Sequence, residues 1–204
     1  MMNKKIGKIT MANLGRDNPV FVQILGICST LAVTNVLRNT VVMSIGLVFV
    51  TALSNLTVSV LRKQIPTRIR MMVSTLIIAS YVILVDIVLK AYMPDVSRQL
   101  GPYVGLIITN CIIMGRAEAF ALNNKPFLSF VDGISSGIGY SYVLLIIAFF
   151  RELMGSGTIW GITVLGDWWV RWSIMVMAPG AFFMLAVFIW IVKGVIIKDH
   201  EVAK

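Results

Sequence analysis

With 204 residues, 58% of them hydrophobic and only 13% charged, and a mean hydropathy of +0.88, the chain has about half the charged fraction of an average soluble domain. One core cannot hide that much apolar surface, so a soluble globular fold is excluded and a lipid bilayer must act as solvent. The formal charge of +9 does not point to nucleic acid, because the basic residues cluster at the ends of apolar runs, where they orient membrane helices. Two cysteines, both inside apolar segments, exclude a disulfide-rich secreted scaffold.

In chain order, "MMNKKIGKITMANLGRD" is basic and polar for longer than the n-region of a signal peptide. The apolar run after it contains Gln23 and no convincing cleavage site, so the segment is expected to be retained. Six membrane spans are predicted, at roughly 19–37, 40–61, 71–92, 101–121, 131–153 and 173–197, each able to cross about 30 Å of hydrocarbon. The connections are short except for the Trp-rich "GSGTIWGITVLGDWWVRW", which reads as an interfacial re-entry region. With the N-terminus in the cytoplasm, the outer segments hold only Arg38, Lys90, Arg98, Arg151 and Arg171 of the 18 Lys and Arg. Both termini are therefore expected to be cytoplasmic.

Pro19 and Cys28 recur as Pro102 and Cys111, both offset by 83 residues, with three spans on each side of the offset point. A duplicated three-span unit must insert its second copy upside down. The fold expected is an all-α membrane protein with six transmembrane helices in two inverted three-helix repeats. Residues 1–18 form a cytoplasmic N-terminal segment, 19–100 the first repeat, 101–197 the second, and 198–204 a cytoplasmic tail. Each cysteine lies nine residues, about 13 Å, into its span and so near mid-depth. The residues after each, "STLAVTN" and "IIMGRAE", continue a lipid-facing helix poorly. The first helix of each repeat is therefore expected to be broken into half-helices.

Cys is a small apolar residue that packs readily in buried helices; the functional reading is metal or iron–sulfur ligation. A [2Fe–2S] cluster usually takes four thiolates, and this chain supplies two, so a related chain of opposite orientation would have to complete the set. Asn110 beside Cys111, and Thr34 and Asn35 after Cys28, carry polar groups that could satisfy the broken backbone or line a cation path. Asp86 with Lys90 four residues on reads as a local helical ion pair. Arg116 with Glu118, and Arg151 with Glu152, read as anchors at span ends. No Gly-rich dinucleotide fingerprint, phosphate-binding loop or H-E-x-x-H is present, and the only histidine, His200, lies in the polar tail. The chain alone should neither bind NADH nor hydrolyse ATP.

"VGLIITNCIIMGRAEAFA", with "NPVFVQILGICSTLAVTN", "VDGISSGIGY", "RELMGSG" and "APGAFF", resembles the NqrDE/RnfAE family of membrane subunits over nearly all six spans. The Val-Gly before Leu-Ile resembles the form found in the sodium-translocating NADH:quinone reductase more than that of the Rnf ferredoxin:NAD(+) oxidoreductase, whose E subunit is the alternative. A cluster-free cation transporter or scaffold is the other. The resemblance implies a multi-pass subunit of the bacterial inner membrane that pairs with an oppositely oriented homologue, NqrE. The two would share an intramembrane [2Fe–2S] cluster, with Cys28 and Cys111 as this chain's ligands to iron. It also implies an enzyme complex with NqrA, NqrB, NqrC and NqrF that passes electrons from NADH to a quinone (ubiquinone or menaquinone) and moves Na(+) outward. FAD, FMN, riboflavin and quinone would sit in other subunits, and no catalysis is expected of the chain alone. Near the cluster, Gly26, Asn110 and Gly115 would supply supporting backbone, the glycines permitting close approach.

Overall fold

The computed structural model describes residues 25–92, 94–160, 162–163 and 177–201, with Gly7 and Thr10. Apart from a two-residue antiparallel ladder, Thr158–Ile159 with Ile162–Thr163, its regular structure is helical. Helix α1 (Ile27–Val33) is short, and a turn at Thr34–Asn35 separates it from α2 (Leu37–Leu61). Then come α3 (Arg70–Tyr92) and α4 (Pro94–Ile108), a break at Thr109–Asn110, α5 (Cys111–Arg116) and one π-helical turn (Ala117–Ala121). Helix α6 (Pro126–Ser156) is the longest, at 31 residues or about 46 Å, and Gly157 closes it with φ 66°. Helix α7 is Ala178–Glu201.

Four segments are long and apolar enough to cross a membrane: Leu37–Leu61, Arg70–Tyr92, Tyr103–Ala121 and Pro126–Ser156. They coincide with the second to fifth expected spans. A shorter apolar helix, Pro179–Val192, covers much of the sixth. The first expected span lies partly outside the described residues; from Leu25 onward it is a non-helical step at Gly26 followed by the seven-residue α1. Most of the Trp-rich connection, residues 161 and 164–172, also lies outside the described residues, as do residues 173–176 at the start of the sixth expected span.

Lipid gives apolar helices no hydrophobic reason to associate, so close backbone approach and polar contacts must hold them together. The central pair is α2 and α6. A Cβ on Gly133 would lie 2.9 Å from Ala52 Cα and from the Thr51 carbonyl, and one on Gly137 would lie 3.1 Å from Val48 Cα. One turn on, Ser141 Oγ is 3.5 Å from the Ser44 carbonyl. These partners descend along α2 as they ascend along α6, so the helices run antiparallel. Their mutual face is lined by hydroxyls that return their protons to their own helix, as Thr51 does to the Leu47 carbonyl at 2.6 Å. Helix α3 buries only the stripe Ser74, Ile78 and Val82 and presents Leu76, Ile83, Leu84, Ile87 and Val88 outward, which suits a peripheral, lipid-facing helix.

Candidate functional site

Both cysteines stand just after a break in the helical path. Gly26 adopts φ 86°, ψ 15°, a left-handed conformation open to glycine, and α1 starts at the next residue, so Cys28 is its second residue. At the other break Asn110 caps α5, its side-chain oxygen accepting from the Ile112 amide at 3.0 Å, and Cys111 is the first residue of that helix. The two breaks meet: the Gly26 amide donates to Cys111 Sγ across 3.1 Å, joining segments 85 residues apart. Cys28 is exposed and Cys111 half-buried. No Cβ fits at Gly26, where it would fall 2.6 Å from Tyr140 Cε2 and 2.9 Å from Ile112 Cδ1. At Gly115, by contrast, a Cβ would meet Leu25 Cδ1 at an ordinary 3.4 Å. Of the two glycines expected to support the site, only Gly26 is required by its geometry.

Helix α6 sets the direction of both half-helices. At its middle, the buried Tyr140 hydroxyl donates to the Gly26 carbonyl at 3.1 Å and hydrogen-bonds Ser29 Oγ, which accepts from Asn110 Nδ2 at 3.1 Å. Eleven residues on, about 16 Å along the axis, Arg151 donates to Thr34 Oγ1 and to the Leu31 carbonyl at the far end of α1. Eight residues the other way, about 12 Å, Asp132 pairs with Arg116 at the far end of α5. The half-helices thus start together beside Tyr140 and diverge toward opposite ends of α6. Tyr140 is about 21 Å from one end of α6 and about 24 Å from the other, so the thiol-bearing starts sit near its midpoint.

This arrangement corrects the reading of two charged pairs as span-end anchors. Arg116 engages the fully buried Asp132 of α6, rather than being a free anchor grouped with Glu118, and its guanidinium also lies 5.5 Å from the Phe120 ring centre. Arg151 and Glu152 are 2% and 4% exposed. Arg151 also reaches the Met177 carbonyl, and Glu152 accepts from the Leu37 amide at 2.6 Å, capping the start of α2. Charges that end an apolar run can snorkel outward, but here Arg151 and Glu152 turn inward to the Leu31 carbonyl and the Leu37 amide, backbone groups at the end of α1 and the start of α2. Asp86 and Lys90 form the expected local pair at 2.6 Å. Thr34 closes α1 by bonding the Thr30 carbonyl, and Asn35 Oδ1 is buried without a hydrogen-bond partner among the described residues.

A family model described as "Rnf-Nqr subunit, membrane protein" matches residues 6–189, which include both breaks and all of α6. The chain belongs to the Rnf-Nqr family. Two relatives are named as the D subunit of the Na(+)-translocating NADH-quinone reductase. The one from Photobacterium profundum is 49% identical over 204 residues, covering 98% of this chain and 96% of its own. The one from Haemophilus ducreyi is 50% identical over 198 residues, covering 95% and 96%.

Three residues at the heart of this Rnf-Nqr chain's site were not singled out from the sequence: Tyr140, Ser29 and Asp132. Asp132 had a usable signal, since a carboxylate one residue inside an apolar span needs a partner. Tyr140 and Ser29 had none, because the partners that join them to the site lie 81 to 114 residues away in the chain. Among the described residues no group of three or more His, Cys, Asp or Glu is positioned to hold a metal ion.

Proposed function

We propose that this chain is a membrane subunit of a Na(+)-translocating NADH-quinone reductase, and that Cys28 and Cys111 supply half the thiolates of an intramembrane [2Fe–2S] cluster. NqrE, a homologous subunit of opposite orientation, would supply the other half. The observation that carries this reading is the Gly26 amide aimed at Cys111 Sγ, which ties two thiol-bearing starts to one point near the middle of the longest membrane helix. The donor set fits iron–sulfur ligation: two thiols, one with a backbone N–H on its sulfur and one exposed where a second chain can reach it. The names of the two relatives support the reductase assignment.

When bound, the cluster supplies one-electron transfer through the low-dielectric middle of the membrane. This chain's residues hold the two thiolates, direct an N–H at one sulfur, and pack Tyr140 and Ile112 around Gly26 so that water is excluded there. FAD, FMN, riboflavin, the quinone and the NADH site belong to the other subunits, NqrA, NqrB, NqrC and NqrF among them. The antiparallel α2 and α6 and the diverging α1 and α5 support an inverted repeat of 19–100 and 101–197. On this reading six helices cross the bacterial inner membrane and both termini are cytoplasmic. Reporter fusions at residues 93 and 204 should then report opposite sides.

Cys28→Ser and Cys111→Ser, each in the complete purified complex, test the site. Both should lose the same two irons and the same reduced-state EPR signal, and stop quinone reduction. Full iron and activity in both variants would leave a cluster-free transporter or scaffold instead.

A further inference from the structure

We propose that Tyr140 is a positioning residue that locks the two thiol-bearing segments together and thereby sets the reduction potential of the cluster they share; this rests on the ligand assignment above. The polar groups close into a ring. Asn110 Nδ2 donates to Ser29 Oγ, Ser29 Oγ and Tyr140 Oη share a hydrogen bond, and Tyr140 donates to the Gly26 carbonyl, which Ser29 Oγ and Thr30 Oγ1 also reach at 3.2 and 2.8 Å. The Gly26 amide then donates to Cys111 Sγ, and Cys111 is bonded to Asn110. Tyr140 is bonded both to Ser29 beside Cys28 and to Gly26, whose amide reaches Cys111, so the ring resists drift of either segment. Tyr140 is the one member outside the two breaks, three residues from Gly137, where α6 lies against the α2 backbone. It transmits the stiffness of the α2–α6 pair to both sulfur-bearing segments. An N–H donated to a cluster sulfur favours the reduced, more negative form, so loosening the ring lowers the potential.

The test is an EPR-monitored redox titration of the complete purified complex carrying Tyr140→Phe, Ser29→Ala, or both, with iron content measured alongside. Tyr140→Phe keeps the ring stacked on Gly26 and removes one oxygen, so full iron content is expected. The reduction equilibrium should move about fivefold toward the oxidised form, roughly 40 mV at 59 mV per tenfold for one electron. Ser29→Ala, which carries the same test should Tyr140→Phe not assemble, should shift it similarly. The double variant should shift no further than one single variant, since both cut the same ring. An unchanged potential in the single variants, or a double shift equal to their sum, would overturn the proposal. If the cysteine-to-serine variants keep their iron, the ligand assignment itself fails, an outcome distinct from an unmoved potential in Tyr140→Phe.

Discussion

Gly26→Ala is the substitution whose cost the geometry states most directly. The new methyl would sit 2.6 Å from Tyr140 Cε2, 3.0 Å from Tyr140 Cζ and 2.9 Å from Ile112 Cδ1. Tyr140 and Ile112 are fully buried, and Tyr140 is pinned by its hydroxyl, so neither has room to retreat. Alanine at φ 86° adds about 1–2 kcal/mol for the left-handed backbone, and forcing a methyl into a filled site adds about 1–3 kcal/mol, for a total of about 2–5 kcal/mol. Were the backbone to relax to negative φ, the Gly26 amide would swing off Cys111 Sγ, so the damage appears at the thiol either way. Gly115→Ala is the matched control. Its methyl meets only the flexible end of Leu25 at 3.4 Å, and alanine in a helix gains up to about 1 kcal/mol over glycine. In the purified complex, Gly26→Ala should lower iron occupancy and shorten the half-life of heat inactivation several-fold, while Gly115→Ala matches the parent or outlasts it. Parent-like iron and half-life in Gly26→Ala, or equal damage from both, would refute the reasoning.

Asp132→Asn leaves the largely buried Arg116 guanidinium without its counter-charge, at a cost of up to about 3 kcal/mol; assembled-complex yield should fall, and Asp132→Leu with Arg116→Met should recover most of it. Gly137→Ala pushes a methyl against Val48 Cα at 3.1 Å and should cost about 1–3 kcal/mol, read as a lower thermal midpoint, whereas Gly46→Ala, which meets only Val85 Cγ1 at 3.4 Å, should not. Glu152→Gln keeps an acceptor for the Leu37 amide and should lose about 1 kcal/mol or less, against about 1.5–3 kcal/mol for Glu152→Ala, measured by the same melts.

How much of this was legible in the sequence follows from how local each feature is. The runs that became α2, α3 and α6 keep a high mean hydropathy despite Asn55, Asp132 and several hydroxyls, and hydropathy needs nothing else to find them. The Asp86–Lys90 pair is an i, i+4 contact and was readable for the same reason. A broken helix near Cys111 was legible because "IIMGRAE" after it continues a lipid-facing helix poorly. The structure sets the break before the cysteine, at Thr109–Asn110, where the Asn110 side chain caps the new start. The buried charges were misread because a charge ending an apolar run looks identical whether it snorkels to water or reaches back to a carbonyl. Only the contact of α1 with Arg151 separates the two. Tyr140 was invisible for a stronger reason. An aromatic at mid-span is ordinary core, and its role depends on the close approach of Gly26, 114 residues away in the chain, which only the folded structure reveals.

Half-helices of seven and six residues are too short to hold their own shape, and lipid offers their apolar faces no gain for staying in the bundle. Each is held by hydrogen bonds at both ends, and α6 makes the outer one in each case. The shared inner point is the neutral ring at Tyr140; the outer points are charged, Arg151 for α1 and Asp132 with Arg116 for α5. That division follows from the dielectric. On the proposed placement near mid-membrane, a charge left at the inner point would be costliest there, whereas hydroxyls and an amide can close a ring with no net charge. Toward the ends of α6, where water is nearer, guanidinium and carboxylate groups can span longer gaps and satisfy several backbone groups at once, as Arg151 does at Leu31, Thr34 and Met177. Since the outer clamps fix only the far ends of α1 and α5, loss of one tilts a half-helix about Tyr140 and moves its thiol little. Loss of the ring leaves both far ends in place and frees the thiols.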